Sequence, residues 1–270
     1  MKRSQQPALA LFAIGMIGLG ILALVNGDFA LVWQPVALWV PGRTILAYVS
    51  GLLMLFGGIG LLFRITAPWS VRILFPYLIV WALLKVPALF VAPQIEGVWL
   101  GLGELTALLA GGWVLFATLA EIPSDSPLAF AVGARGLRIA RILFAVSIIP
   151  IGLGHLFYVK ATADLVPHWF PFRPGWAWLT GLGQIACGLG ILFSIFPRVA
   201  AIAEACMISL FAILVWGPAV LAAPKGRLPW TAFLISWAIA AAAWVVAQEV
   251  VRQVSAKSSA KHATPLTARV

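Results

Sequence analysis

Cysteine, histidine and charged residues are all scarce in this sequence. Its 270 residues include two cysteines and three histidines, and Asp, Glu, Lys and Arg together make up 10%. Cys187 and Cys206 do not form a Cys-x-x-Cys motif, and there is no Cys/His cluster of the kind that binds zinc, haem or an iron–sulfur cluster. The sequence therefore predicts no metal site, and it predicts two buried thiols that behave as small hydrophobic groups.

The shortage of charge also excludes an ordinary soluble domain, in which charged residues make up about a quarter of the chain. Hydrophobic residues reach 63%, and the mean hydropathy is +1.04. Apolar runs of about 20 residues, the length that crosses a bilayer, recur along the chain without the period-2 alternation of membrane β-barrels. We predict an all-α integral membrane protein with eight transmembrane helices, at residues 8–25, 45–63, 72–92, 98–119, 139–158, 175–196, 199–222 and 229–250.

The formal net charge of +10 is explained by membrane topology rather than by binding to nucleic acid. An even number of spans places both termini on one side, and that side holds 12 of the 18 Lys and Arg residues. The other side holds the remaining six: Arg43, Lys85, Lys160, Arg173, Lys225 and Arg227. The positive-inside rule then predicts a cell-membrane protein with both termini in the cytoplasm, where basic residues contact anionic lipid. Glu204, near the cytoplasmic end of the seventh span, is expected to pair with Arg198 or Arg64.

Two parts of the chain share a pattern of glycine and apolar residues. The motif at 17–20 (Ile-Gly-Leu-Gly) recurs at 151–154, and the pattern of 50–63 recurs at 180–193. Because each copy contains four spans, both insert with the same orientation, which predicts a tandem repeat of two four-helix units in parallel orientation. The first apolar run follows two basic residues, as in a secretory signal, but its counterpart in the second copy makes us expect that it is retained.

The first copy is a degenerate version of the second. Ile21 takes the place of His155 in the shared motif, and Met54 takes the place of Gln184. A polar, turn-rich segment separates the copies. The predicted organisation is a first membrane unit at 1–120, a cytoplasmic linker at 121–138, a second unit at 139–250 and a disordered basic tail at 251–270.

Strongly polar residues inside the spans are the best candidates for function, because burying charge in lipid is costly unless the charge is paired or used. In the half of the bilayer away from the termini these are Lys85, Glu104, His155 and Gln184. Lys85 and Glu104 lie at similar depth on consecutive spans, so one interpretation is a structural ion pair. The other is a polar pocket in which Glu104 or His155 moves a proton for a lipid-soluble substrate such as a quinone.

The second copy carries three motifs in sequence. They are the pair Gly154-His155, the loop Val166-Pro167-x-Trp169-x-Pro171, and the helix Thr180-Gly181-x-x-Gln184 with its glycine-rich end. On these motifs, residues 139–200 resemble the DoxX-like family of small membrane proteins, which usually has Glu where Gln184 stands. The resemblance implies a membrane subunit of a redox complex, since members look like such subunits, including one of a thiosulfate:quinone oxidoreductase.

Three functions are compatible with the sequence. The first, which we favour, is an accessory or quinone-facing membrane subunit of an oxidoreductase, with a soluble or membrane partner subunit and quinone as its cofactor. The second is a small-solute transporter or permease, which the parallel repeat supports. The third is a membrane scaffold or assembly factor without catalysis, which the lack of a cofactor-binding motif allows.

Overall fold

The computed structural model describes residues 6–263, and this part of the chain contains helices and no strand. The helices are α1 (Gln6–Asn26), α2 (Arg43–Leu61), α3 (Ala67–Val91), α4 (Glu96–Leu119), α5 (Gly133–Phe157), α6 (Val159–Leu165), α7 (Arg173–Leu192), α8 (Pro197–Phe211), α9 (Gly217–Ala222) and α10 (Arg227–Ala263). A π-helical segment, Ala212–Trp216, joins α8 to α9. The prediction of an all-helical chain is confirmed, since eight helical segments of the described residues are long and apolar enough to cross a membrane.

Three boundaries differ from the predictions. Helix α5 begins at Gly133 and so takes up part of the predicted linker, while the short helix α6 lies between the predicted spans 139–158 and 175–196. Helix α10 continues to Ala263, so the prediction of a disordered tail is wrong for 251–263. Ala, Lys and Gln in this stretch are strong helix formers, and Arg252 donates to the Glu249 carboxylate one turn earlier at 2.8 Å. Residues 264–270 lie outside the described residues.

The membrane helices form two five-membered rings that share α4 and α10. Helices α1, α2 and α3 complete the first ring, and α5, α7 and α8 complete the second. As a result α1 packs against α10 and α5 packs against α4. The first helix of each half of the chain therefore lies against the last helix of the other half.

The two shared helices meet at a small-residue contact. A Cβ atom built on Gly111 of α4 would lie 2.6 Å from the Cα atom of Ala242 on α10. Lipid tails are as apolar as the side chains, so helices in a membrane associate through close backbone packing rather than through the hydrophobic effect. The absence of a side chain at Gly111 is therefore what allows the two rings to join.

Glycine pairs hold the first two spans of each half together in the same way. A Cβ atom on Gly51 of α2 would lie 3.2 Å from the carbonyl oxygen of Gly20 on α1. A Cβ atom on Gly181 of α7 would lie 2.8 Å from the carbonyl oxygen of Gly152 on α5. The α1–α2 and α5–α7 pairs are thus packed through corresponding glycines.

These contacts correct one residue correspondence taken from the sequence motif. The Cβ atom of Ala23 lies 3.1 Å from the position of a Cβ on Gly51, and the Cβ atom of His155 lies 3.0 Å from that on Gly181. Ala23, and not Ile21, therefore stands where His155 does. Ile21 is 48% exposed on the outside of the bundle. The alignment of α1 with α5 by contacts is thus shifted by two residues from the alignment by sequence motif. Backbone contacts between helices, and not the order of similar residues, decide which positions correspond.

Asp28 ties together three parts of the first ring at the side of the membrane away from residues 6 and 263. Its carboxylate forms ion pairs with Arg43 at the start of α2 and with Arg227 at the start of α10, the latter at 2.9 Å. Burial raises the pKa of Asp28, but hydrogen bonds from Arg227, the Phe29 N–H and Arg43 outweigh burial, so its pKa lies below the usual value.

We expect Gly111→Ala to destabilise the protein by about 1–3 kcal/mol, because the added methyl group meets the backbone of α10. Gly183→Ala is the matched control, since a Cβ atom there would lie 3.5 Å from the flexible Met207 side chain. Thermal unfolding of the purified protein in detergent measures both variants. Equal unfolding temperatures for the two variants would show that the α4–α10 contact is not tight.

We expect Asp28→Asn to destabilise the protein by about 1 kcal/mol at neutral pH, because two arginines lose their partner. A carboxylate with a lowered pKa stabilises the fold above its unfolded pKa of about 3.9, and this contribution is lost as the pH falls through the folded pKa. The difference in the free energy of unfolding between wild type and variant should thus reach its full size at neutral pH and disappear in acid. Asp125→Asn, at an exposed position that makes no ion pair with the described residues, should show no difference at any pH.

Candidate functional site

The second ring encloses a cavity of about 590 Å³ at the end of the helices away from residues 6 and 263. Pockets of this size hold drug-sized or cofactor-sized ligands. Most of the wall is apolar, and its large side chains are Tyr158, Phe170, Trp176, Met207, Phe211 and Trp216.

The polar residues that line this cavity include Glu104 of α4, His155 of α5, and Thr180 and Gln184 of α7. Glu104 comes from the first half of the chain, and it reaches the second ring because α4 belongs to both rings. The structure therefore brings three of the four predicted site residues together. Thr180 belongs to the sequence motif but was not predicted as a site residue. A threonine hydroxyl can hydrogen-bond to its own helix, so threonine in a membrane span does not by itself indicate a functional site.

Lys85, the fourth predicted residue, does not line the cavity. Its Nζ atom donates a hydrogen bond of 2.7 Å to the carbonyl oxygen of Val32, in the loop that closes the first ring. Lys85 forms no ion pair with Glu104 within the described part of the chain. The interpretation of these two residues as an ion pair is therefore wrong, since the lysine satisfies a loop carbonyl instead.

One tautomer of His155 is compatible with the helical hydrogen bond of Thr180. When the Thr180 hydroxyl donates to the carbonyl oxygen of Trp176 at 2.8 Å, its oxygen accepts a hydrogen from His155 Nδ1, which lies 2.9 Å away. His155 Nε2 is then an acceptor, as in a neutral imidazole. The Phe211 ring, with its centroid 5.3 Å from that of the imidazole, packs against it.

Gln184 is almost fully enclosed, with 1% of its surface exposed. Its Oε1 atom has no hydrogen-bond partner among the described residues. A buried polar atom without a partner costs about 1–3 kcal/mol, which a bound donor would recover.

The π-helical segment forms one side of the cavity through Leu214, Val215 and Trp216. The sequence predicted one uninterrupted span at 199–222. Pro218 explains the difference, because proline has no N–H for the carbonyl oxygen of Leu214 and its ring clashes with that group. Such π-helical turns occur often at functional sites. Gly217-Pro218 is therefore the sequence feature from which the interruption of the helix could have been predicted.

In the first ring the corresponding space is filled by the loop between α1 and α2. Gln34 Nε2 donates to Tyr77 Oη at 2.8 Å and to Ser50 Oγ at 3.2 Å. Trp33 beside it is 1% exposed. Gln34, Ser50 and Tyr77 thus bond to one another inside the first ring, whereas His155 and Thr180 of the second ring line a cavity.

Glu204 of α8 lies next to the site and was assigned wrongly from the sequence. It is fully buried, and neither carboxylate oxygen has a hydrogen-bond partner among residues 6–263. The expected pairing with Arg198 or Arg64 does not occur, since Arg198 donates to Ser255 Oγ at 3.0 Å. Position along the sequence suggested the ion pair, but the helix turns Glu204 toward α7 instead.

The two cysteines lie in different environments. Cys187 is buried, as expected, but Cys206 is exposed on the outside of the bundle, and both are free thiols. Within the described ranges, no group of three or more His, Cys, Asp or Glu side chains is placed to hold a metal ion.

The DoxX family model matches residues 136–217, which run from α5 to the start of α9. No curated protein and no solved structure matches the chain. The matched region contains His155, Thr180 and Gln184, while Glu104 lies outside it. The resemblance indicated by the sequence motifs is thus confirmed, and the second half of this multi-pass membrane protein carries a DoxX region.

Proposed function

We propose that the protein is a quinone-facing membrane subunit of a redox complex, and that its second ring binds the quinone headgroup. The cavity is the observation that carries this proposal. Its apolar wall suits a lipid-soluble ligand, and its polar side chains converge from α4, α5 and α7. Pockets that combine apolar walls with a few placed polar groups are typical small-molecule sites.

The polar groups favour the reduced form of such a ligand. His155 Nε2 is an acceptor in the neutral tautomer described above, and a quinol has hydroxyl donors, whereas a quinone has only carbonyl acceptors. The sequence has no cofactor-binding motif, so the proposal places the electron acceptor in a partner subunit. The chain then supplies the binding site, and its role is accessory.

We also propose that the chain is a tandem repeat of two parallel four-helix units, with the Gly111–Ala242 contact at their symmetry axis. The first support is the matching glycine contacts of α1–α2 and α5–α7. A second is a repeated hydrogen bond near the start of each shared helix. Trp99 donates to the carbonyl oxygen of Pro93 at 2.9 Å, and Trp230 donates to that of Pro224 at 2.8 Å.

The packing between the halves favours this proposal over a transporter. Transporters with parallel repeats bind their substrates at the interface between the repeats. Here α4 and α10 meet at that interface with no room for a Cβ atom on Gly111. The cavity lies to one side of this contact, within the second ring, and Leu100 and Glu104 of α4 are the first-half residues in its lining.

We expect His155→Ala to weaken binding of decylubiquinol roughly five- to tenfold, the effect of one lost hydrogen bond. Stability should stay close to that of wild type, because Ala23 occupies the corresponding position in the first half and Thr180 keeps its bond to Trp176. Equilibrium titration of the purified protein measures affinity, and thermal unfolding measures stability.

His168→Ala is the matched control for this variant, since His168 lies on the exposed loop before α7 and does not line the cavity. It should bind decylubiquinol like wild type. Equal affinity of the wild type, His155→Ala and His168→Ala proteins would contradict the proposed site. Absence of binding by the wild type would contradict the proposed function and favour a scaffold.

We further propose that both termini face the cytoplasm of a cell-membrane protein, on the basis of the charge bias. Cysteines introduced at Ser124, in the linker before α5, and at Asp164, in α6, test this orientation in a variant without Cys187 and Cys206. Both positions are exposed, and they lie at opposite ends of α5. An impermeant maleimide applied to intact cells should label Asp164→Cys and spare Ser124→Cys. The opposite labelling pattern would reverse the topology.

A further inference from the structure

Glu204 is a fully buried carboxyl group in the first third of the span Pro197–Ala222. It lies seven residues from the start of α8, about 10 Å along the helix axis. Its polar neighbours are Gln184 and Cys187 of α7, and neither forms a hydrogen bond of normal geometry with it. The ion pairs of the described residues do not include it. An isolated carboxylate in this position would be strongly unfavourable, so the group must be neutralised.

The fold itself does not require polar groups here. A Cβ atom on Gly60 would meet Ser70, and one on Gly190 would meet Ala200, which sets the register of α3 and α8. These contacts align α3 with α8, and the glycine contacts described above align α2 with α7. In this alignment three polar residues of the second half have apolar or small counterparts in the first half. The pairs are Glu204 with Leu74, Gln184 with Met54, and Cys187 with Gly57.

Gln184 connects this carboxyl group to the cavity. Its side chain lines the cavity and also faces Glu204, which itself does not reach the cavity wall. Both Oε1 of Gln184 and the Glu204 carboxylate lack hydrogen-bond donors among the described residues. A single proton on Glu204 satisfies both, because the carboxylic O–H can donate to the amide oxygen.

We propose that Glu204 is a proton-binding site, and that it takes up and releases its proton through the cavity by way of Gln184. In this exchange a hydronium ion in the cavity gives its proton to the Glu204 carboxylate, which leaves the neutral acid and a water molecule. The reverse step returns the proton to water in the cavity. The proposal goes beyond ligand binding, and it does not depend on the identity of the ligand.

The surroundings of Glu204 favour a proton over a metal cation or an ion pair. Two carboxylate oxygens and one amide oxygen are too few for cations such as Ca²⁺ and Mg²⁺, which take about six or more oxygen ligands. On α7 the titratable neighbour of Glu204 is Cys187, and α10 contributes no ion pair to it within the described residues. Arg198, six residues earlier on α8, bonds to Ser255 of α10.

Infrared spectroscopy of the full-length protein in lipid nanodiscs tests this proposal without any ligand. We expect wild type to show the carbonyl stretching band of a protonated carboxylic acid at neutral pH, and Glu204→Gln and Glu204→Leu to lose it. In Gln184→Met the band should remain, but its shift after exchange into D₂O should be slower, roughly five- to tenfold, the effect of one lost hydrogen bond. Leu74 and Met54 show that this packing accommodates the Leu and Met side chains.

Glu249→Gln is the control for a buried carboxyl group. Glu249 is 3% exposed but bonds Arg252 at 2.8 Å, so its removal should leave the acid band unchanged. Persistence of the band in Glu204→Gln would assign it to another group, such as Glu104, and overturn the proposal. A band that disappears when Na⁺ replaces K⁺ at constant pH would indicate a sodium site instead. Unchanged exchange in Gln184→Met would refute the route through the cavity.

Discussion

The close approach of α4 to α10 is the constraint on which the rest of this structure depends. Because Gly111 has no side chain, the two helices pack backbone to backbone against Ala242, and each becomes part of both rings. Van der Waals contact of this kind is the main force available between helices in lipid. It also explains why the site draws on both halves of the chain, since Leu100 and Glu104 on α4 line a cavity otherwise formed by the second half.

The two rings share their backbone packing and differ in how their polar groups are satisfied. In the first ring Gln34 bonds both Ser50 and Tyr77, so the loop between α1 and α2 closes the interior. In the second ring His155 lines an open cavity, and Gln184 Oε1 is buried without a partner among the described residues. Equivalent glycine contacts thus support one ring that is closed by a loop and one that contains a cavity.

Unsatisfied polar groups deep in the second half argue for function rather than stability. A buried group without a partner destabilises a protein, and an unpaired carboxylate in a membrane does so strongly. The first half shows that Leu74 and Met54 pack well at the positions of Glu204 and Gln184. Packing alone therefore does not require these polar residues, which is the physical basis for proposing a ligand site and a proton site.

The amino-acid sequence by itself determined the class of protein, the eight apolar spans and three residues of the site, because these follow from local composition and from the rarity of polar residues in lipid. It did not determine which polar groups meet. Lys85 bonds a loop carbonyl, Glu204 turns toward α7, and Ala23 rather than Ile21 matches His155. Only the tertiary structure decided these points. The direction that a helical side chain faces depends on helix register and crossing, and both are set by backbone contacts between residues far apart in the chain.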